Sequence, residues 1–469
     1  MIRRTIFSRW PRHETVARWR VGVKIEQRNL PVYHGRPSRP RAVRHLLVPG
    51  FSMRPFSLRR LARHQGALAA ACLAVVVSGC AELPGAQTRQ LDRRQFAAID
   101  AAIDHAIAER RLPGAVFHLE REGAVHARAC GRLSYEADAA PLTMDTVFDA
   151  ASLSKVLATA PAVLLLAEDG KLDLDGRLVD YFPECQGGGK EAITIRHLLT
   201  HTSGLAAGLP AKPAWRGDEA AHAMACAQTV THAPGSYFRY SDINYILLGQ
   251  LVRKLSGMEL DAFARQRLFG PLRMARTGYL PLRRMAAAAI ASTHKAADGG
   301  APALHGDVGA GGMLQGVVHD PTVRRIGGAA GSAGVFSTVG DIARYARMLL
   351  GVGEFDGVRV LAPESVRLLT TVQSPPGIAA LRGLGMDIDS PFAQRPRGTL
   401  FPVGSFGHTG FTGCVLWIDP GSRSFYVFLS NRVYPDDKGN VLPLYTEIAT
   451  LSARAAGLET ATLPPGAAP

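Results

Sequence analysis

The sequence predicts an α+β fold in which an antiparallel sheet is flanked by helices. Three observations carry that expectation. The alternating stretches Ala115–Arg121 and Ala124–Cys130, broken at Glu122-Gly123, read as a hairpin near the start. The apolar stretches Cys414–Ile418 and Ser424–Leu429 flank Asp-Pro-Gly-Ser-Arg and read as a second hairpin near the end. Most of what lies between has a helical or loop pattern, so the sheet is expected to join strands from the two ends of the chain.

Residues 1–52 are rich in arginine and proline and show no sustained apolar period. A different pattern begins at Met53. Arg54, Arg59, Arg60 and Arg63 precede the apolar run 66–77, and Ser78-Gly79-Cys80 follows. A positive region, a short apolar region and small residues make an export signal. The run is too short to span a bilayer comfortably. The ending Val77-Ser78-Gly79-Cys80 resembles the lipobox of bacterial lipoproteins. That resemblance implies that Cys80 is lipidated, and Ala81 after it implies the outer membrane of a double-membraned bacterium. Residues 1–52 are therefore expected to be an untranslated or disordered extension, with translation starting at Met53. Residues 53–79 are expected to be the signal and 80–92 a tether.

Charge follows the same division. Residues 1–79 hold 16 Lys+Arg against two Asp+Glu, and residues 80–469 hold 38 against 37. The basic excess belongs to the leader, so the mature part lacks the basic footprint of a nucleic-acid binder. Cys130, Cys185, Cys226 and Cys414 lie beyond Cys80. Export places them in an oxidising compartment, but four cysteines allow three pairings. His197 and His201 stand four apart, yet Leu198 holds the position of the glutamate in a helical zinc motif. Both read as local hydrogen-bonding residues, and neither a metal nor an organic cofactor is expected.

The folded domain is expected over residues 93–457, with a disordered tail over 458–469. An amphipathic helix is expected near Arg93–Arg110, before the first hairpin. A mainly helical subdomain is expected over about residues 165–335, with Ile193–Leu205 its clearest segment. Asp341–Leu350 reads as a helix with Asp341 near its positive end. A last helix is expected over roughly Leu442–Ala456.

The chemistry centres on Phe148-Asp-Ala-Ala-Ser-Leu-Ser-Lys-Val-Leu-Ala-Thr159. Ser152 and Lys155 are three apart, which puts both side chains on one helical face. A serine hydroxyl becomes a nucleophile when a base takes its proton. Lysine can be that base if burial lowers its pKa. The chain has eight lysines and 46 arginines, and an arginine here could not deprotonate. A second Ser-x-x-Lys, Ser292–Lys295, runs into Ala-Ala-Asp-Gly-Gly and reads as a solvated loop.

Two further elements stand downstream, Tyr240-Ser-Asp242 and His408-Thr409-Gly410. With Ser152-x-x-Lys155 they follow the order of motifs in the serine β-lactamases and penicillin-recognising peptidases. The chain most resembles the class C β-lactamase-like group, with its esterases and DD-peptidases. Leu198–Gly204 and Gly328–Ser337 also resemble family stretches, and Val318-His-Asp-Pro321 is similar to a loop in some penicillin-binding members. The resemblance covers roughly residues 93–457 and implies a β-lactamase/transpeptidase-like fold and an acyl-enzyme formed on Ser152. It implies proton transfer through Lys155 and Tyr240, and an oxyanion site made by the backbone N–H groups of Ser152 and Phe411. Asp242, His408, Thr409 and Gly410 would orient substrate, with Gly410 letting it approach the strand closely.

Two departures shape the expected activity. Asp242 stands where asparagine is commoner, and a carboxylate near Lys155 favours the ammonium. Tyr240 is therefore the favoured base, with Lys155 as the alternative. His408 stands where β-lactamases carry lysine, and a largely neutral histidine is a poor anchor for a carboxylate. The expected function is a monomeric envelope serine hydrolase acting on an ester or a peptidoglycan stem peptide. A penicillin-binding lipoprotein with little turnover and a true class C-like β-lactamase are the alternatives. No Gly-x-Ser-x-Gly occurs in the chain, which excludes the usual nucleophile elbow.

Overall fold

The computed structural model describes residues 90–295 and 313–459. Cys80, the signal segment, residues 1–52 and the tail from residue 460 lie outside the described residues. The helix α1 (Phe96–Ala108) leads into β1 (Gly114–Arg121) and β2 (Ala124–Gly131). Next come the core helix α2 (Ala160–Glu168), α3 (Asp242–Ser256) and α4 (Val339–Leu350). The strands β3 (Leu381–Arg382), β4 (Asp387–Asp389), β5 (Phe406–Gly410), β6 (Cys414–Asp419) and β7 (Ser424–Ser430) follow, and α5 (Leu442–Ala455) closes the domain.

These strands form one seven-stranded sheet in the order β2-β1-β7-β6-β5-β4-β3. β1 pairs antiparallel with β7, from Ala115 opposite Ser430 to Arg121 opposite Ser424. The two ends of the chain therefore share the middle of the sheet, as the terminal hairpins predict. Alternation along the strands serves two cores. Phe117, Trp417, Tyr426 and Phe428 pack beneath α1 and α5 with Ile99, Ile103 and Ile448. Val116, Leu416, Val427 and Leu429 face the larger core with α2, α3 and α4. Arg347 of α4 clasps Glu120 of β1 through two N–H bonds of 2.7 and 2.6 Å, a fork geometry that fixes helix on sheet.

The segment Ala151–Glu168 has a mean hydropathy of 1.4 and is 83% buried within the protein. It runs through the larger core, so its apolar composition is that of a helix covered on every side. Truncating a fully buried residue such as Leu164 costs about 2–5 kcal/mol.

Three local expectations are corrected. Ser292–Lys295 is a strand paired with Met313–Gln315, and Ser292 and Thr293 are buried. Its polar composition hid it, because these side chains find backbone partners, as when Thr293 donates to the Leu314 carbonyl at 3.3 Å. Leu91 is buried and the Asp92 N–H donates to the Ala455 carbonyl at 2.7 Å, so the domain takes in the end of the expected tether. At the other end, Leu458 packs on the smaller core instead of opening a disordered tail.

Candidate active site

The turn before Ser152 is under strain. Phe148–Asp149 pairs with Phe336–Ser337, and Ala151 then adopts a φ of 46°. A left-handed alanine costs about 1–2 kcal/mol, so its surroundings must hold it. Asp149 Oδ1 accepts the Ala151 N–H at 2.9 Å, and Ser154 Oγ donates to the Ala151 carbonyl at 2.6 Å. A short 3-10 turn carries Ser152, and one wider π turn, Lys155–Thr159, precedes α2. Such widened turns recur at functional sites.

Lys155 is fully buried. Its Nζ donates to Ser152 Oγ at 3.1 Å and to the Ser332 carbonyl at 2.8 Å, and it lies 2.7 Å from Asp242 Oδ1. An ammonium has three N–H donors, and all three are engaged. Burial alone would push the Lys155 pKa down, but Asp242, with Tyr240 adding in the same direction, raises it above the ordinary lysine value. The carboxylate thus outweighs burial and favours the ammonium, the direction expected of Asp242 beside Lys155.

Asp242 lies in the first turn of α3, where a carboxylate is favoured by the helix dipole. Tyr240 precedes it by two residues. The Tyr240 hydroxyl is buried and meets no partner at hydrogen-bond geometry among the described residues. Lys155 Nζ lies 5.0 Å from the Tyr240 ring centre, and the Arg382 guanidinium lies 6.0 Å from it. His201 stacks on Tyr240 at 4.4 Å. His201 Nδ1 accepts the Ser241 N–H at 3.1 Å, and burial drives its pKa well below the usual value. His197 Nδ1 likewise accepts the Thr194 N–H at 3.2 Å. His197 bonds locally, as expected, whereas His201 bonds a residue 40 positions further on and packs against Tyr240, neither of which has a sequence signature.

β5 forms the opposite wall. The ring of His408 is buried, and its Nδ1 donates to the Thr409 carbonyl at 2.8 Å. Burial, then the charges of Arg382 and Lys155, push its pKa well below the ordinary histidine value. Gly410 has a reason the sequence did not show. A Cβ there would lie 2.5 Å from the Ala150 carbonyl, so the absent side chain admits the nucleophile turn. Thr412 Oγ1 donates to the Asp149 carbonyl at 2.6 Å and strengthens that contact.

Ser152, Tyr240, His408, Thr409, Gly410 and Phe411 line one cavity of about 540 Å³. Phe392, Val441 and Leu442 give it an apolar side, and Arg382, Arg395 and Arg432 bring positive charge. Sequence reading missed these arginines because they lie on short elements or in a turn, outside any motif. Arg382 is fully buried, with Nη1 3.4 Å from Asp387 Oδ2 and with its Nε unbonded. The exposed Phe411 ring stacks under Arg432 at 4.3 Å.

The open cysteine pairing resolves to Cys185–Cys226, with Cys130 and Cys414 as thiols. His222 lies beside the disulfide, but bonded sulfurs offer no thiolate to a metal. Burial pushes the Cys130 and Cys414 thiols up to about 11 and about 12, which leaves them unreactive near neutral pH. Asp320 caps the short helix Pro321–Ile326 by accepting the Val323 N–H at 2.8 Å, and His319 Nε2 lies 3.0 Å from Asp437 Oδ1.

Comparisons with known proteins agree with this geometry. The family model described as Beta-lactamase matches residues 99–450. A "Putative D-alanyl-D-alanine carboxypeptidase" of Escherichia coli (strain K12) is 32% identical over 324 residues, covering 62% of this chain and 70% of that protein. The solved structure of SurE has a TM-score of 0.59 at 25% identity and covers 80% of each chain. A penicillin-binding protein homologue from Caulobacter crescentus has a TM-score of 0.60 at 19% identity, covering 78% of this chain and 98% of that one. EstCE1, a hydrolase with promiscuous acyltransferase activity, has a TM-score of 0.59 at 23% identity, covering 77% and 99%. The fold and these matches define a serine hydrolase. The chain belongs to the β-lactamase family.

Proposed function

We propose that the protein cleaves a peptidoglycan-type peptide amide or a carboxylic ester through an acyl-enzyme on Ser152. One observation carries the assignment of roles. The Lys155 ammonium is held by Ser152, the Ser332 carbonyl and Asp242, and the buried Tyr240 hydroxyl, bonded to no acceptor, stands against that charge. Tyr240 is then the group free to exchange a proton with Ser152, and Lys155 supplies the charge that steadies its phenolate. Ser152 Oγ attacks the carbonyl carbon as Tyr240 takes its proton. The backbone N–H groups of Ser152 and Phe411 receive the oxyanion. Tyr240 returns the proton to the leaving amine or alkoxide, and water repeats the sequence on the acyl-enzyme.

The stem-peptide reading is supported by the carboxypeptidase relatives and by the exposed Arg395, whose guanidinium has no hydrogen-bond or ion-pair partner among the described residues. A guanidinium suits a terminal carboxylate. The ester reading is favoured by His408, which is neutral and offers no fixed cation on β5. β-Lactam hydrolysis is the weakest of the three for the same reason. We further infer an exported lipoprotein anchored through Cys80. Intact-mass spectrometry with muropeptides, nitrophenyl esters and a fluorescent penicillin tests the reading. Turnover of the first two with a transient Ser152 adduct supports it. A long-lived penicillin adduct without turnover of the others contradicts it and identifies a penicillin-binding sensor.

A further inference from the structure

We infer that Asp149 is a positioning residue that sets the spacing of the two oxyanion N–H groups, those of Ser152 and Phe411. The inference rests on the reading of Ser152 as nucleophile. It begins with what one buried side chain holds together. Asp149 Oδ1 accepts the Ala151 N–H at 2.9 Å, directly before Ser152. Asp149 Oδ2 accepts the His319 N–H at 2.6 Å, and the His319 ring stacks on Phe411 at 5.9 Å. The Asp149 carbonyl accepts Thr412 Oγ1 at 2.6 Å, one residue past Phe411. Its neighbour Ala150 meets Gly410 so closely that a Cβ there would lie 2.5 Å from the Ala150 carbonyl.

Both sides of the oxyanion site thus close on residues 149 and 150. The arrangement explains why the left-handed Ala151 is tolerated. The carboxylate holds the strained N–H in place, and strain persists only where its surroundings over-determine it. An oxyanion site acts through donors fixed before reaction, so a loosened Asp149 would weaken the transition state and leave ground-state binding alone.

The carboxylate sits fully enclosed. Burial pushes its pKa up to about 6, against the two N–H bonds; Asp320 raises it further and Arg324 lowers it. The Cys414 thiol lies 3.5 Å from the Asp149 backbone carbonyl. Protonation would replace one acceptor by an O–H and break one of the two N–H bonds.

The test compares wild type with Asp149→Asn, an isostere that keeps one acceptor and turns an amide towards the other N–H. A fluorophosphonate adduct mapped in wild type first establishes the nucleophile. Expected in Asp149→Asn are a kcat lower by about 10- to 100-fold and a KM that barely moves. This is short of the roughly 10²- to 10³-fold seen when an oxyanion donor is removed outright. Phenylboronic acid, which forms a tetrahedral serine adduct, should weaken in parallel with kcat. The acid limb of wild-type kcat near pH 6 should vanish. A merely structural aspartate would lower the melting temperature and leave the pH profile and the boronate ratio alone. Should Asp149→Asn fail to fold, Thr412→Val removes the other tie and must show the same parallel loss. An unchanged kcat or boronate affinity in the folded variant overturns the inference. An adduct on a residue other than Ser152 instead sinks the functional reading beneath it.

Discussion

Lys155 Nζ lies 2.7 Å from Asp242 Oδ1, and this contact decides how the site moves a proton. With asparagine at 242, burial would lose its largest opponent and only Tyr240 would still favour the ammonium. With aspartate, the ammonium is retained and the duty of base passes to Tyr240. Asp242→Asn is expected to keep the protein folded and to shift the basic limb of its pH–rate profile. A profile superimposable on wild type would mean that Asp242 stands outside the proton path.

Lys155→Ala and Tyr240→Phe should each slow acylation by about 10²- to 10⁴-fold, the usual share of general-base catalysis. The double variant should be no slower than the worse single one, since the two serve one proton path. Multiplying losses in a single-turnover assay would show that they act independently. Ser152→Ala should form no adduct at all.

His408 carries a pH prediction for stability. Its folded pKa is pushed well below 6.5 by burial, while the unfolded chain keeps the ordinary value. Below about pH 6.5 the unfolded state therefore binds a proton that the folded state refuses, and stability falls as the pH drops. The difference in melting temperature between wild type and His408→Gln should change in that direction between pH 7.5 and 5. A constant difference would show that His408 is not held neutral. His408→Lys should speed penicillin acylation about tenfold, by restoring a fixed cation worth about 1.4 kcal/mol.

The leader offers a separate check. Cys80→Ser should abolish incorporation of labelled fatty acid, and starting the chain at Met53 should leave export unchanged. Labelled Cys80→Ser protein would contradict the lipoprotein reading, and export lost on removal of residues 1–52 would contradict the start at Met53.

How much of this was legible in the sequence depends on whether a feature is periodic. The terminal hairpins are paired apolar or alternating runs about a turn, and β1, β2, β6 and β7 fall within a residue or two of expectation. Ser152, Lys155, Tyr240 and His408 were found because their motifs are short and ordered along the chain. β3 and β4 were not found, since two or three residues carry no period. Arg382 reaches the cavity from β3, Arg395 from the four-residue helix Gln394–Arg397 and Arg432 from the turn after β7, so the charge of the pocket was hidden. The strand Ser292–Lys295 was missed because polar residues were read as solvated, although the fold buries them with partners. Asp149 was in view but unremarked, because its task lies in backbone N–H groups whose placement only the folded chain reveals.

The most direct test of the central claim is the single-turnover acylation rate of Tyr240→Phe, measured beside wild type with a nitrophenyl ester. The assignment of Tyr240 as base predicts a fall of about 10²- to 10⁴-fold with the fold and substrate affinity retained. A rate equal to wild type would contradict it and return the role of base to Lys155.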